Sequence, residues 1–161
     1  MDTLDIALRL GAATLVGVIL GLNRDLHGKP TGVRTLSLVC LGSALAVLSI
    51  RAGSSTDASR VIQGIMTGVG FLGAGVIVRN SKGHHVHGLT TAACVWVTAC
   101  IGAACAVAEW QIVVLGVLLV LVILFFGGRF EKAIERRWPG QGPTDPRQEK
   151  PDTTRVPGSE L

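Results

Sequence analysis

Long runs of apolar residues, interrupted at short intervals by small clusters of charge, set the organisation of this chain. The first run spans Leu4–Leu22 and carries two charges near its start, Asp5 and Arg9, one helical turn apart. A polar stretch from Asn23 to Gly32 follows, and a second run covers Val33–Ile50. After a short loop with Arg51, Asp57 and Arg60, a third run covers Val61–Val78. A loop from Arg79 to His87 then leads into the block Gly88–Gly128, whose one charge is Glu109. Drawn out as one helix, that block would be about 60 Å long, twice the hydrocarbon thickness of a bilayer. It therefore predicts two spans, Leu89–Ala108 and Trp110–Gly128, with a tight turn between them. The expected fold is all-α: a polytopic membrane protein with five transmembrane helices.

Beyond residue 128 the pattern changes. Phe130, Ala133, Ile134 and Trp138 share one helical face with charges opposite, so residues 129–138 read as a juxtamembrane amphipathic helix. Residues 139–161 hold five prolines and almost no large apolar side chains, so a disordered tail is expected there.

Composition agrees with a membrane protein: 48% of residues are hydrophobic and only 16% charged, against about 25% charged in an ordinary soluble domain. The placement of the basic residues matters more than the net charge of +4. Arg24, Lys29, Arg34, Arg79, Lys82 and seven residues of the tail lie on one side of the predicted bundle; Arg9, Arg51 and Arg60 lie on the other. The positive-inside rule then puts the N-terminus out and the C-terminus in, as five spans require. The first block begins with Asp2 and Asp5 and lacks a basic leader, so it reads as a retained span. There is no tyrosine and no alternation of basic and aromatic residues, so no nucleic-acid partner is expected. Cys40, Cys94, Cys100 and Cys105 all fall in apolar blocks and form no C-x-x-C pair; they read as small buried side chains.

Four groups of residues are candidates for function. Gly64, Gly68, Gly70, Gly73 and Gly75 crowd span three, and Gly17 with Gly21 repeats the four-residue spacing in span one. Such series read as close helix packing inside the bundle or as a hinged segment lining a site; packing is favoured, with Gln63 and Thr67 placed to hydrogen-bond across. The inner face is second. Spans two and four both start there, and Arg24, Lys29, Arg34, Thr90 and Thr91 surround helix N-termini that attract anions, with threonines able to cap them. The rival reading is ordinary topology charge against lipid head groups. His84, His85 and His87 are close enough to bind a metal, but no Cys or carboxylate accompanies them, so an exposed loop is expected and no metal is assigned. Finally, no acidic residue lies at mid-membrane, where ion-coupled pumps place theirs. No nucleophile–base pair or phosphate-binding loop is present, so neither enzymatic activity nor a cofactor is expected. One weak internal repeat is visible: Arg24, Gly28 and Thr35 recur as Arg79, Gly83 and Thr90 at an offset of 55.

Three stretches in order resemble the MgtC/SapB family of bacterial membrane proteins: Gly21-Leu-Asn-Arg-Asp25 running into Gly28-Lys-Pro-Thr-Gly-Val-Arg-Thr35; Gly68-Val-Gly-Phe-Leu-Gly-Ala-Gly75; and Val86-His-Gly-Leu-Thr-Thr-Ala-Ala93 followed by Trp96. Asp57, Arg60 and Gln63 add to the match, which covers about residues 4 to 128. The resemblance implies a multi-pass protein of the bacterial inner membrane, linked to magnesium limitation and, in pathogens, to virulence. It implies a regulator of other membrane proteins, including the proton-translocating ATP synthase. The alternatives are a magnesium or other cation transporter, assembled as a homo-oligomer, and an anionic-lipid-binding protein. The motif positions carried over are Arg24, Lys29, Gly32, Arg34, Asp57, Arg60, Gln63, Gly68, Gly70, Gly73, Gly75, Thr90, Thr91 and Trp96; Asp25 joins the binding face. Asn23 and Asp25 stand where the family usually has glutamates, and His87 where it usually has arginine. Many members continue into a cytoplasmic domain resembling ACT folds, for which the tail after Arg129 is too short.

Overall fold

The computed structural model describes residues 2–50, 55–79 and 88–137, with side-chain surroundings for 2–50, 57–77 and 88–127. The described residues form five helices: α1 (Thr3–Leu26), α2 (Val33–Ser49), α3 (Ser55–Arg79), α4 (Leu89–Val107) and α5 (Trp110–Arg137). Four of them are long and apolar enough to cross a membrane. The fifth, α2, has 17 residues, about 26 Å of helix, at the short end of what a bilayer needs. Residues 1–123 form one compact unit, and the second unit begins at Leu124. Within the second, the described residues are helical and belong to the C-terminal part of α5, so the predicted fifth span and surface helix lie in one helical element. His84, His85, His87, Arg51, Lys82 and the tail from 138 lie outside the described residues.

Two predicted boundaries move. Helix α1 continues past Leu22 to Leu26, so Asn23, Arg24, Asp25 and Leu26 are helical, not loop. The cause is at the site described below, where Arg24 and Asp25 make long-range bonds that hold the last turn. Helix α3 begins at Ser55, six residues before the expected start, with Asp57 in its first turn, where a carboxylate faces the positive end of the helix dipole. The division of the long apolar block falls where expected. The N–H of Glu109 bonds the carbonyl of Ala104 and that of Ala108 bonds Cys105, with Ala108 in the left-handed region (φ 64).

The helices of the first unit pack around α4. Just over half of α4's apolar stretch is buried (56%), against 6% for α5. The core is built from small and medium side chains: Ala13, Val16 and Leu20 of α1; Leu36, Cys40, Ala44 and Val47 of α2; Val95, Ala99, Ala103 and Cys105 of α4. In lipid no hydrophobic force drives helices together, so contact depends on backbones coming close. Three glycines make that approach. A Cβ on Gly17 would lie 2.8 Å from the carbonyl oxygen of Leu36, one on Gly21 2.7 Å from the amide nitrogen of Val33, and one on Gly102 2.9 Å from the carbonyl carbon of Cys40. Each meets backbone, which cannot step aside.

Span three differs from both readings of its glycines. Helix α3 is continuous from Ser55 to Arg79, so it has no hinge. Nor do most of its glycines pack inside the bundle: only Gly73 meets a neighbour, the Cβ of Ala92 at 3.3 Å, while Gly64, Gly68, Gly70 and Gly75 face open space. The Thr67 hydroxyl donates to the Gln63 carbonyl of its own helix instead of reaching across. As for the repeat, Gly17 meets Ser37 in the first hairpin and Gly73 meets Ala92 in the second. These positions are 56 and 55 residues apart, within one residue of the offset found in the sequence.

Gly102→Ala is expected to destabilise the bundle by roughly 1–3 kcal/mol through overpacking. Gly11→Ala, at an exposed helical glycine with open space around it, is expected to stabilise by about 0.5–1 kcal/mol. Thermal unfolding in detergent, followed by helical circular dichroism, separates the two signs.

Candidate functional site

The site is built where α1 ends, α2 begins and α4 begins. Arg24, on the last turn of α1, is buried, with only 3% of its surface exposed. A buried guanidinium is tolerated only when its N–H groups are bonded. Its Nε donates to the carbonyls of Pro30 and Thr31, both at 3.2 Å. Its Nη2 donates to the Pro30 carbonyl at 2.7 Å and to the hydroxyl of Thr91 at 2.5 Å. One side chain thus ties the α1–α2 loop to the first turn of α4. The loop can present those carbonyls because it turns sharply: Gly28 has φ 60 and Thr31 φ 61, and the amides of His27 and Lys29 both bond back to the Arg24 carbonyl.

Asp25 holds the other side of the loop. Its Oδ2 accepts the N–H of Val33, the first residue of α2, at 3.0 Å. A carboxylate at a helix N-terminus satisfies a free donor and meets the positive dipole end. Gly32 makes room for it, since a Cβ there would run into the Asp25 carboxyl group. Pro30, just before this cap, has no N–H to satisfy.

At the opposite end of the bundle a second arginine does similar work. Arg9 Nε bonds Asp5 Oδ1 at 2.9 Å, and Arg9 Nη1 donates to the carbonyl of Ala106 at 2.6 Å. That carbonyl lies in the last turn of α4, where acceptors lack helical partners. The expected Asp5–Arg9 pair is present, but the arginine also crosses to α4. The antiparallel helices α1 and α4 are therefore fastened near both ends.

The structure gathers some of the predicted residues and separates others. Arg24, Asp25, Gly32 and Thr91 form the cluster just described. Arg24 does not join an open anion-binding face, because its donors face the protein's own carbonyls. The α2 N-terminus takes the Asp25 carboxylate, and the threonine caps are not found: the N-cap residues are Gly32 and Gly88, and Thr91 serves Arg24. Lys29, Arg34 and Thr90 are exposed. Asp57, Arg60 and Gln63, all exposed, stand at the start of α3. Helix α3 runs antiparallel to α4, with Gly73 against Ala92 and Cys100 Sγ 3.3 Å from Met66 Sδ. Its start is therefore at the end of the bundle opposite Arg24. Trp96, midway along α4, is about half exposed on the outer surface (46%). Among the described residues no three His, Cys, Asp or Glu side chains converge as a metal site.

Two residues of this framework were missed. Arg9 carried no signal for its contact across 97 positions. Gly102 had one: Thr98, Gly102 and Ala106 repeat small residues at four-residue spacing on α4.

Five helices, four of them long and apolar enough to cross a membrane, with Arg24 and Arg9 fastening α1 to α4 near both ends, define a multi-pass membrane protein. Comparison with known proteins sharpens that class: the chain belongs to the MgtC family, whose model matches residues 10–133. It is 44% identical over 136 residues to Protein SrpB of Synechococcus elongatus, covering 76% of this chain and 75% of that protein. It is 38% identical over 114 residues to Protein MgtC of Salmonella typhimurium, covering 71% of this chain and 48% of that protein. It is 35% identical over 132 residues to the putative magnesium transporter YhiD of Escherichia coli, covering 76% and 60%. The chain thus spans three quarters of SrpB but only about half of MgtC. No solved structure matches it.

Gly32→Ala is expected to displace the Asp25 carboxylate and cost about 1 kcal/mol of stability, the size of a lost helix cap. Asp25→Ala should cost a similar amount. In the double variant the losses should fall short of additive, because both act through one contact. Chemical unfolding of the four proteins in mixed micelles reads this directly; strict additivity contradicts the shared contact.

Proposed function

We propose that the chain is a non-enzymatic regulator in the bacterial inner membrane that acts on another membrane protein when magnesium is scarce. The link to magnesium comes from the family and from the printed name of the Escherichia coli relative. The regulatory reading is supported by the closed interior. The buried residues between α1, α2 and α4 are almost all apolar. The buried polar ones among the described residues are Arg24, Ser43, Thr91 and Thr98. Arg24 and Thr91 bond each other, and the Thr98 hydroxyl donates to the Cys94 carbonyl. A magnesium ion sheds water reluctantly and asks for carboxylate or carbonyl oxygen along its path; the described interior of a single copy lines no such path.

The loop that Arg24 and Asp25 fix carries the exposed Lys29 and sits beside the exposed Arg34. A rigid, basic loop beside the membrane is suited to contact an acidic surface of a partner. The family resemblance makes the proton-translocating ATP synthase the first partner to test. The second reading is transport of magnesium, favoured by the name of the Escherichia coli relative.

Flux into proteoliposomes loaded with a magnesium-sensitive dye distinguishes the two. The regulatory reading expects no flux above empty liposomes, together with poor growth of a deletion strain at low magnesium that the wild-type gene restores. Loss of rescue in a Lys29→Glu/Arg34→Glu variant that still reaches the membrane is the further expected result. Saturable flux would overturn this reading in favour of transport.

A further inference from the structure

The face of α3 that points away from α4 has a composition unlike the rest of the surface. On α1 and α5 the outer positions are mostly Leu, Ile, Val and Phe, with isolated glycines such as Gly11 and Gly127. On α3 the outer stripe reads Asp57, Arg60, Gly64, Thr67, Gly68, Phe71 and Gly75, and all seven are exposed. A lipid-facing glycine forfeits dispersion contacts and helix propensity without return. Phe71 stands up from the same stripe at 81% exposure, the highest of any large apolar side chain among the described residues.

The two sides of the stripe complement each other. At 3.6 residues per turn, Asp57 and Gly75 are about five full turns apart and so lie on one line. With Gly64 as midline, Asp57, Gly68 and Gly75 fall on one side of the stripe, and Arg60 and Phe71 on the other. Two copies in one membrane, related by a two-fold axis along the bilayer normal, would set their α3 helices parallel. In that arrangement the first side of each stripe meets the second side of the other. The Phe71 ring of one copy then falls between Gly68 and Gly75 of the second copy. The Asp57 carboxylate of each copy faces the guanidinium of the other's Arg60, and the two Gly64 residues meet at the axis. Asp57 already has an interaction in its own chain, but a carboxylate accepts more than one donor.

The same side of the stripe opens into a groove. Helices α2 and α3 both pack on α4 but leave between them a hollow of about 530 Å³, with Leu38, Gly42, Ile65, Gly68 and Leu72 in its walls. Gly68 lines the hollow and is itself exposed, so an aromatic ring arriving beside Gly68 meets the hollow. Hollow and ring, acid and base are thus paired across one symmetric operation.

We infer that the outer face of α3 docks a second copy of this chain, as a parallel pair held by Phe71 in the Gly68–Gly75 hollow and by reciprocal Asp57–Arg60 contacts. The pairing does not depend on the regulatory role, and failure of either leaves the other standing.

Disulfide cross-linking in native membranes tests it. Gly64 has open space around its Cα, so Gly64→Cys fits within one copy, and under oxidation it should give a disulfide dimer. Ile19→Cys, at an exposed position on α1, should give no more dimer than the wild-type chain, whose own cysteines set the background. Equal yields at the two positions, or no dimer at Gly64→Cys, overturn the proposal. Charge reversal supplies an independent readout by co-capture of differently tagged copies. Asp57→Arg copies, with two basic residues, should lose most of their self-capture, as should Arg60→Asp copies, with two acidic ones. Co-expressed, the two variants should capture each other at least as well as wild type captures itself. An ion pair confined to one helix cannot produce that recovery, and its absence overturns the pairing.

Discussion

The guanidinium of Arg24 governs how this bundle is put together. It is an obligate cation with five donors on the last turn of a membrane helix, and it is buried. Its position is tolerable only because the α1–α2 loop folds back to offer the carbonyls of Pro30 and Thr31, and because Thr91 brings a hydroxyl from α4. Much of the local sequence serves that requirement. Gly28 and Thr31 make the turn, Gly32 leaves room for the Asp25 carboxylate, and Asp25 starts α2 in register with α1. Once α1 and α2 are set, Gly17 and Gly21 bring their backbones together, and Arg9 fixes the far end of α1 to the last turn of α4.

The bundle therefore has a rigid side and an open side. Helices α1, α2 and α4 share buried glycines, an apolar core and arginine fastenings at both ends. Helix α3 leans on α4 through Gly73 and Met66 and turns the remaining glycines outward. The candidate residues divide in the same way. Arg24, Asp25, Gly32 and Thr91 maintain the rigid side. Asp57, Arg60, Gly64 and Gly68, with Phe71, face outward on α3.

The spans were legible in the sequence because apolar blocks of about 20 residues allow little else in a membrane. The split of the long block at Glu109 followed from length alone. Gly17 and Gly21 were correctly read as a close-packing pair. Of the glycines of span three only Gly73 packs inside the bundle, because four-residue spacing reveals a smooth helix face and not the helix that meets it. The cluster around Arg24 was half legible. Its residues stand together in the sequence as a basic face, either topology charge against lipid head groups or an anion site, and neither reading turns Arg24 inward. Nothing local indicates that Arg24 turns inward, since its acceptors are loop carbonyls six and seven residues on and a hydroxyl 67 residues away. Asp25 was hidden for the same reason: it caps a helix that starts eight residues later.

The bond from Arg24 to Thr91 couples the first hairpin to α4, and a double-mutant cycle measures that coupling most directly. Unfolding free energies would be compared for the wild-type chain, Arg24→Gln, Thr91→Val and the double variant in one lipid–detergent mixture. A charge-assisted hydrogen bond predicts a coupling of about 1.5–3 kcal/mol, with Thr91→Val nearly without further cost once Arg24 is replaced. Simple additivity of the two single losses would contradict the account, because Arg24 and Thr91 would then stabilise the bundle independently.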